Sequence, residues 1–255
     1  MDQAGEQDTM QLTIEQYESI RPAATLKYPG GEVLCYVPTT PVNWRVEGFF
    51  EHEPHTLEWI AGFTAGDVFF DIGANVGLYS IWAAKTRGVK VMAFEPESQN
   101  FAVLNWNIVI NDLKERVSGY CVAISDRMSV SHLHLSSFSA GQALHGFDEP
   151  KTTRDVFELD FHEFTPVHSQ GSMAMSIDEL VGLELPAPRY IKVDIDGLED
   201  KVIAGAQDTL ERRETASLLI EINQNLESHL SIVSYLEGLG YSVDDKEAVN
   251  YIFRR

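Results

Sequence analysis

Cysteine is scarce in this chain: its 255 residues hold only Cys35 and Cys121. Neither sits in a CxxC pair or a Cys/His spacing of the zinc type. A disulfide framework and a structural zinc site are therefore not expected. Both lie in apolar runs (VLCYV and GYCVAI), which predicts two reduced, buried thiols of a cytoplasmic protein. Long apolar runs are lacking too. No stretch of about 18 apolar residues occurs, so no transmembrane segment is expected. The start, MDQAGEQDTMQLT, is acidic and polar and lacks the basic and apolar regions of a secretory signal. Basic residues are outnumbered: 19 Lys and Arg stand against 39 Asp and Glu, a formal net charge of −20. Such a surface repels a polyanion, and no basic cluster beyond Arg212-Arg213 and Arg254-Arg255 offsets it. Nucleic acid is not an expected partner.

What is present is ordinary globular composition, 44% hydrophobic and 23% charged, on a length that suits one large domain with an extension. Residues 1–66 read as that extension, capping the core: a tail over 1–12, a short helix in LTIEQYESI, a hairpin around Pro29-Gly30-Gly31 and a helix in EPHTLEWIAGF. From residue 67 onward, strands alternate with helices. DVFFDIG, VKVMAFEP, GYCVAISD, YIKVDIDG and LLIEIN read as strands. VGLYSIWAAKTRG, ESQNFAVLNWNIVIND, LEDKVIAGAQDTLERR and LESHLSIVSYLEGLG read as helices, and two strands close the chain. That order predicts an α/β fold over 67–255, a doubly wound, mostly parallel sheet. Residues 127–176 break the alternation and read as an insertion or β-arm. Its histidines, His132, His134, His145, His162 and His168, read as exposed polar residues of an arm, with a base or a shared metal as the alternatives.

In doubly wound sheets, ligands bind beyond the carboxyl ends of the strands. Asp71, Glu95, Asp194 and Glu221 all fall there. FFDIGANVGLYS puts Asp71 before a bend made by Gly73, Asn75 and Gly77, with Ala74 inside it. A dinucleotide site would want G-x-G-x-x-G; this segment is G-A-N-V-G, which disfavours a nicotinamide-dependent dehydrogenase. The leading acid suits a cationic group, such as the amino group of S-adenosylmethionine. Glu95, at the next strand end, can accept both hydroxyls of a ribose. Pro96 follows it, and the third strand end, Ala123 to Asp126 with Ser125, is placed to border an adenine.

With those segments in hand, the chain resembles the FkbM family of S-adenosylmethionine-dependent methyltransferases, of the Rossmann-like class I methyltransferase fold. FFDIGANVGLYS, VMAFEPESQNFAVLNWNI, VAISD, SIDEL, YIKVDIDGLEDKVIAGA and LLIEIN carry the likeness, in family order. The resemblance implies an O-methyltransferase acting on a sugar, nucleotide-sugar or glycan hydroxyl, or on a polyketide or other small natural product. It also implies a cofactor role for Glu53. The family often carries glutamate where Asp196 stands.

Methyl transfer to a hydroxyl requires that the acceptor lose a proton. Asp194 is the first candidate base, with Asp196 beside it and Lys192 sharing a face of the strand. Alternatively Asp196 caps the next helix, and Glu199 is a first-turn acid matched to the helix dipole. Asp194, Glu221 and Asn223 form an oxygen-rich set that could hold Mg²⁺. His52, Glu53 and His55 could form a lid. A non-catalytic S-adenosylmethionine-binding or scaffold protein is the reading of another class, and a homo-oligomer is compatible with all of these.

Overall fold

The structure, a computed structural model, describes residues 12–152 and 162–255. The tail expected over 1–12 lies outside the described residues except for Leu12. The first elements are α1 (Ile14–Ser19), the hairpin β1 (Ala23–Tyr28) and β2 (Gly31–Tyr36), then α2 (Thr40–Glu47), α3 (Phe49–His52) and α4 (Pro54–Ala61). The alternating part follows with β3 (Val68–Ile72), α5 (Leu78–Arg87), β4 (Lys90–Phe94), α6 (Ser98–Ile110) and β5 (Val117–Tyr120). Then comes β6 (Ala123–Ile124), and the insertion holds β7 (Ser129–Leu135), β8 (Gly146–Phe147), β9 (Lys151–Thr152), β10 (His162–Glu163) and β11 (His168–Met175). The chain closes with α7 (Ile177–Gly182), β12 (Tyr190–Val193), α8 (Glu199–Ala204), α9 (Gln207–Glu211), β13 (Ser217–Glu221), α10 (Glu227–Gly238), β14 (Ser242–Glu247) and β15 (Asn250–Arg254).

The central sheet runs β14-β15-β13-β12-β3-β4-β5. Strands β3, β4, β5, β12 and β13 pair in parallel, and β15 pairs antiparallel with both β13 and β14. Alternate residues serve opposite faces. Phe69, Val91 and Leu219 join the core under the hairpin and α4–α6, whereas Phe70, Ile191 and Ile220 join the core under α7–α10. Both faces are covered, which is why these strands are apolar almost throughout. Order reverses at β3, whose neighbours are β4 on one side and β12 on the other. The crevice beyond their carboxyl ends is the natural ligand site.

Strands of the insertion form a second sheet together with β6, ordered β6-β11-β7-β8. Strands β7 and β11 form its long antiparallel pair, from Leu135 opposite His168 to Ser129 opposite Ala174. On β7, Leu133 and Leu135 are buried and His132 is exposed. Two expectations need correction. The helix read over 198–213 breaks at Gly205-Ala206 into α8 and α9. Cys35 is buried, but Cys121 is exposed, because it sits in the short link between β5 and β6 rather than in a strand interior.

Candidate active site

The bend after β3 is built from left-handed residues: Gly73 (φ 79°), Asn75 (φ 51°) and Gly77 (φ 80°). The N–H groups of Gly73 and Ala74 both donate to the carbonyl of Phe94, at 3.0 Å each, tying the bend to the end of β4. A Cβ on Gly73 would lie 1.9 Å from the carbonyl oxygen of Asp194. Position 73 therefore needs glycine for its backbone angle and for its space. We expect Gly73→Ala to lower unfolding free energy by about 3 kcal/mol in urea denaturation, through strain and overpacking together. Gly66→Ala has a similar φ of 90° but open space around the new Cβ, and should cost only about 1 kcal/mol. Equal effects would show that close approach to Asp194 is unimportant.

Glu95 follows β4 directly and is buried. Its two oxygens accept the N–H groups of Asn75 and Glu97, each at 2.8 Å. Burial, the largest influence, pushes its carboxyl up to about 7 against those hydrogen bonds. Glu95 borders a cleft of about 810 Å³, whose walls include Phe94, Pro96, Val122, Ala123 and Ile124. Ser125 is not among the cleft-lining residues. Its N–H donates to Met175 at 2.9 Å and its hydroxyl to Asp126 at 3.2 Å, because the strand has by then turned to pair with β11.

Asp71 also differs from expectation. It is buried, accepts the Ser80 hydroxyl at 2.5 Å, and borders neither cavity described here. Its register partner on β12 is Lys192, so the two side chains share a face of the sheet. The Lys192 ammonium lies 2.5 Å from Asp194 and 5.2 Å from the centre of the Tyr79 ring. Burial would lower the Lys192 pKa, but Asp194, Glu53 and Asp71 together hold it above its ordinary value. In this structure Asp71 is therefore buried beside Lys192, whose positive charge it helps to hold.

Asp194 borders both cavities, and about a third of its side-chain surface, 32%, is open. Burial would raise its pKa, but Lys192 and hydrogen bonds from Lys192 and Glu221 hold it below the usual carboxylate range. Glu221 shifts the opposite way, by burial first and then by the charges of Asp194, Glu199 and Asp196, so it retains its proton. The oxygen-rich set read as a Mg²⁺ site does not fit a cation. Asp194 is occupied by Lys192, and the side-chain oxygen of Asn223 accepts the N–H of Asn225 at 3.0 Å. Among the described residues no group of three or more His, Cys, Asp or Glu is placed to hold a metal.

Asp196 borders the first cleft. It stands at φ 62° and accepts the N–H of Leu144 at 2.7 Å. It caps no helix: Leu198 is the N-cap of α8, without a side-chain hydrogen bond. Burial, and then the charge of Asp194, push the Asp196 carboxyl up to about 7. Glu199 stands in the first turn of α8, as its position suggests, but its side chain faces the interior. It is fully buried, accepts the N–H groups of Ile195 and Gly197, and lies 3.2 Å from buried His229. This staple holds the turn that presents Asp196. The spacing IDGLE was its sequence signal, and His229 had none.

A segment of the insertion covers the cleft. The carbonyl of Gln142 accepts from Asn75 (2.7 Å) and Asn100 (3.1 Å), and the N–H of Gly141 donates to Asn100 (2.6 Å). Thr39 donates to the carbonyl of Ala140 at 2.7 Å. His145 is the insertion histidine brought to the cleft; burial lowers its pKa. His134 instead contacts Ser169 and Asp148. A second cavity of about 600 Å³ adjoins the first, bordered by Trp44, His52, Glu53, Tyr79 and Lys192. Glu53 accepts the Thr56 hydroxyl there at 2.7 Å. His55 points elsewhere, 3.0 Å from Asp245.

The family model described as the methyltransferase FkbM domain matches residues 71–243, more than half of the chain. The chain is 26% identical over 235 residues to 31-O-demethyl-FK506 methyltransferase FkbM of Streptomyces tacrolimicus, covering 86% of this chain and 89% of that protein. It is 29% identical over 150 residues to hexuronic acid methyltransferase AglP of Haloferax volcanii, covering 57% of this chain and 52% of that protein. It therefore spans about half the length of that relative. Among solved structures, methyltransferase FkbM from Methylobacillus flagellatus superposes with a TM-score of 0.51 at 15% identity, over 76% of this chain and 44% of that one. That likeness bears on the fold alone.

Proposed function

The chain belongs to the methyltransferase FkbM domain family, and from that premise we propose that it transfers a methyl group from S-adenosylmethionine to a hydroxyl oxygen of a small acceptor. The observation that carries the cofactor reading is Glu95, a carboxylate at the end of β4 that borders an otherwise largely apolar part of the cleft. The donor set suits the cofactor. Glu95 would accept the ribose hydroxyls, Phe94, Val122 and Ile124 would pack on the adenine, and Asp194 would face a cationic sulfur. The bend from Gly73 to Gly77 lets the ligand approach the backbone.

When bound, S-adenosylmethionine supplies a methyl group already activated as a sulfonium. The residues of the chain must then align the acceptor, exclude water and take a proton. The segment around Gln142 covers the cleft and serves the second task. Asp196 is the better base of the two acids. Asp194 is neutralised by Lys192 and holds a proton weakly, whereas Asp196 accepts one near neutral pH. In this role Lys192 and Glu221 fix and charge Asp194, and Asp194 in turn raises Asp196. A base must be unprotonated to act. Turnover should therefore fall about tenfold per pH unit below about 7 and level off above it. A kcat profile from pH 5.5 to 9 checks this; a profile flat across pH 7 would contradict it.

For the acceptor we favour a sugar hydroxyl, of a free sugar, nucleotide-sugar or glycan. Trp44 is exposed at the second cavity, stacked on His52 with ring centres 4.1 Å apart, and gives a flat face for a sugar ring. The hexuronic acid relative supports the same choice. The FK506 relative, aligned over most of this chain, favours a polyketide hydroxyl as the second reading. Incubation with methyl-labelled S-adenosylmethionine and a panel of uronic acids, neutral sugars and macrolide alcohols decides between them. Label on a sugar supports the first reading and label on a macrolide alone the second. Cofactor binding without any transfer would favour a non-catalytic protein.

A further inference from the structure

One cation at the centre of the site, Arg45, forms no ion pair among the described residues, although Asp194 and Asp196 lie near enough to feel its charge. The two cavities share Arg45, Gly73, Asn75 and Asp194 as border residues. Arg45 belongs to α2, and its Nε donates to the carbonyl of Gly141 at 2.6 Å. That bond orients the guanidinium and leaves its two terminal nitrogens as donors. Among the described residues, no carboxylate lies within ion-pair distance of Arg45. The other strong cation bordering the cavities, Lys192, is committed to Asp194.

The surroundings make this arrangement informative. Asp194 and Asp196 border the first cleft with Arg45, and Glu53 borders the second cavity. An anionic group would be repelled from such a place unless a dedicated cation received it. A guanidinium with two free terminal nitrogens takes a carboxylate through two parallel hydrogen bonds, which a lysine cannot reproduce. We propose that Arg45 is the receptor for a ligand carboxylate at the junction of the two cavities. The proposal rests on the cofactor reading above. Two sources could bring the carboxylate: the amino-acid end of the cofactor, or an acidic acceptor such as a uronic acid.

Calorimetric titration of the full chain separates these sources. S-adenosylhomocysteine carries the amino-acid end, and 5′-methylthioadenosine keeps the adenosine and sulfur without it. If the cofactor supplies the carboxylate, Arg45→Met should weaken S-adenosylhomocysteine about 30-fold and leave methylthioadenosine within about threefold, as expected for a lost charge-assisted pair. If the acceptor supplies it, both nucleosides should bind the variant normally. Glucuronate would then bind the wild-type S-adenosylhomocysteine complex but not that of Arg45→Met, with glucose binding unaffected. Arg45→Lys should resemble Arg45→Met in either case. Full recovery by lysine would show that Arg45 only balances nearby acids, and would overturn the proposal. So would both nucleosides and glucuronate proving indifferent to Arg45→Met. If the wild type binds neither nucleoside, the cofactor reading falls and the proposal with it. Normal methylthioadenosine binding by each variant shows that it is folded.

Discussion

Replacing Asp196 with asparagine is expected to lower turnover about 1,000-fold, in the range lost when a general base is removed. The change is nearly isosteric. The amide oxygen of asparagine can still accept the Leu144 N–H that Asp196 accepts at 2.7 Å, and Glu199 still holds the Ile195 and Gly197 N–H groups. Removing the charge also relieves repulsion from Asp194. The fold should persist, and cofactor affinity should stay within a few-fold. Initial rates of label transfer and a cofactor titration on the same preparation test this. A variant with wild-type turnover would place the proton elsewhere. His145, which also borders the cleft, is then the group to replace next.

Replacing Glu95 with glutamine should weaken cofactor binding more than 100-fold, with correspondingly little turnover at ordinary cofactor concentrations. Two losses combine. A neutral amide makes weaker bonds to ribose hydroxyls than a carboxylate does, each charge-assisted bond contributing about 1.5–3 kcal/mol. The carboxylate also accepts two backbone N–H groups, from Asn75 and Glu97. A glutamine would set its NH₂ group against one of them, loosening the bend that carries Asn75. Calorimetry measures the affinity, and thermal unfolding shows how much of the change is loss of structure. Unchanged affinity in a folded variant would remove Glu95 from the cofactor site.

Much of this architecture is legible in the residues. Short β-branched and aromatic runs ending in Gly73, Pro96 or Gly197, each followed by a helix-spaced segment, dictate a doubly wound sheet. Asp71, Glu95, Asp194 and Glu221 at strand ends mark the crevice. The sequence does not reveal which of these acids face the ligand. Alternation along β3 and β12 puts Asp71 beside Lys192, and only packing shows that Lys192 borders the second cavity while Asp71 borders neither. Asp196 reads as a catalytic acid or a cap, and Glu199 as a first-turn acid, because sequence spacing cannot distinguish these roles from that of a staple. Glu199 does start α8, but it is buried against His229, which lies 30 positions further on, in α10. Arg45 carried no motif at all. Its importance comes from α2 being laid over the crevice and from its bond to Gly141, a contact across 96 positions that no local pattern encodes.

The central claim is that the crevice between β3 and β12 takes S-adenosylmethionine. Its most direct test is calorimetric titration of the full chain with S-adenosylhomocysteine, using NAD as the control. The account predicts saturable one-to-one binding of the first and none of the second. Binding of NAD alone, or of neither by a folded sample, would contradict it.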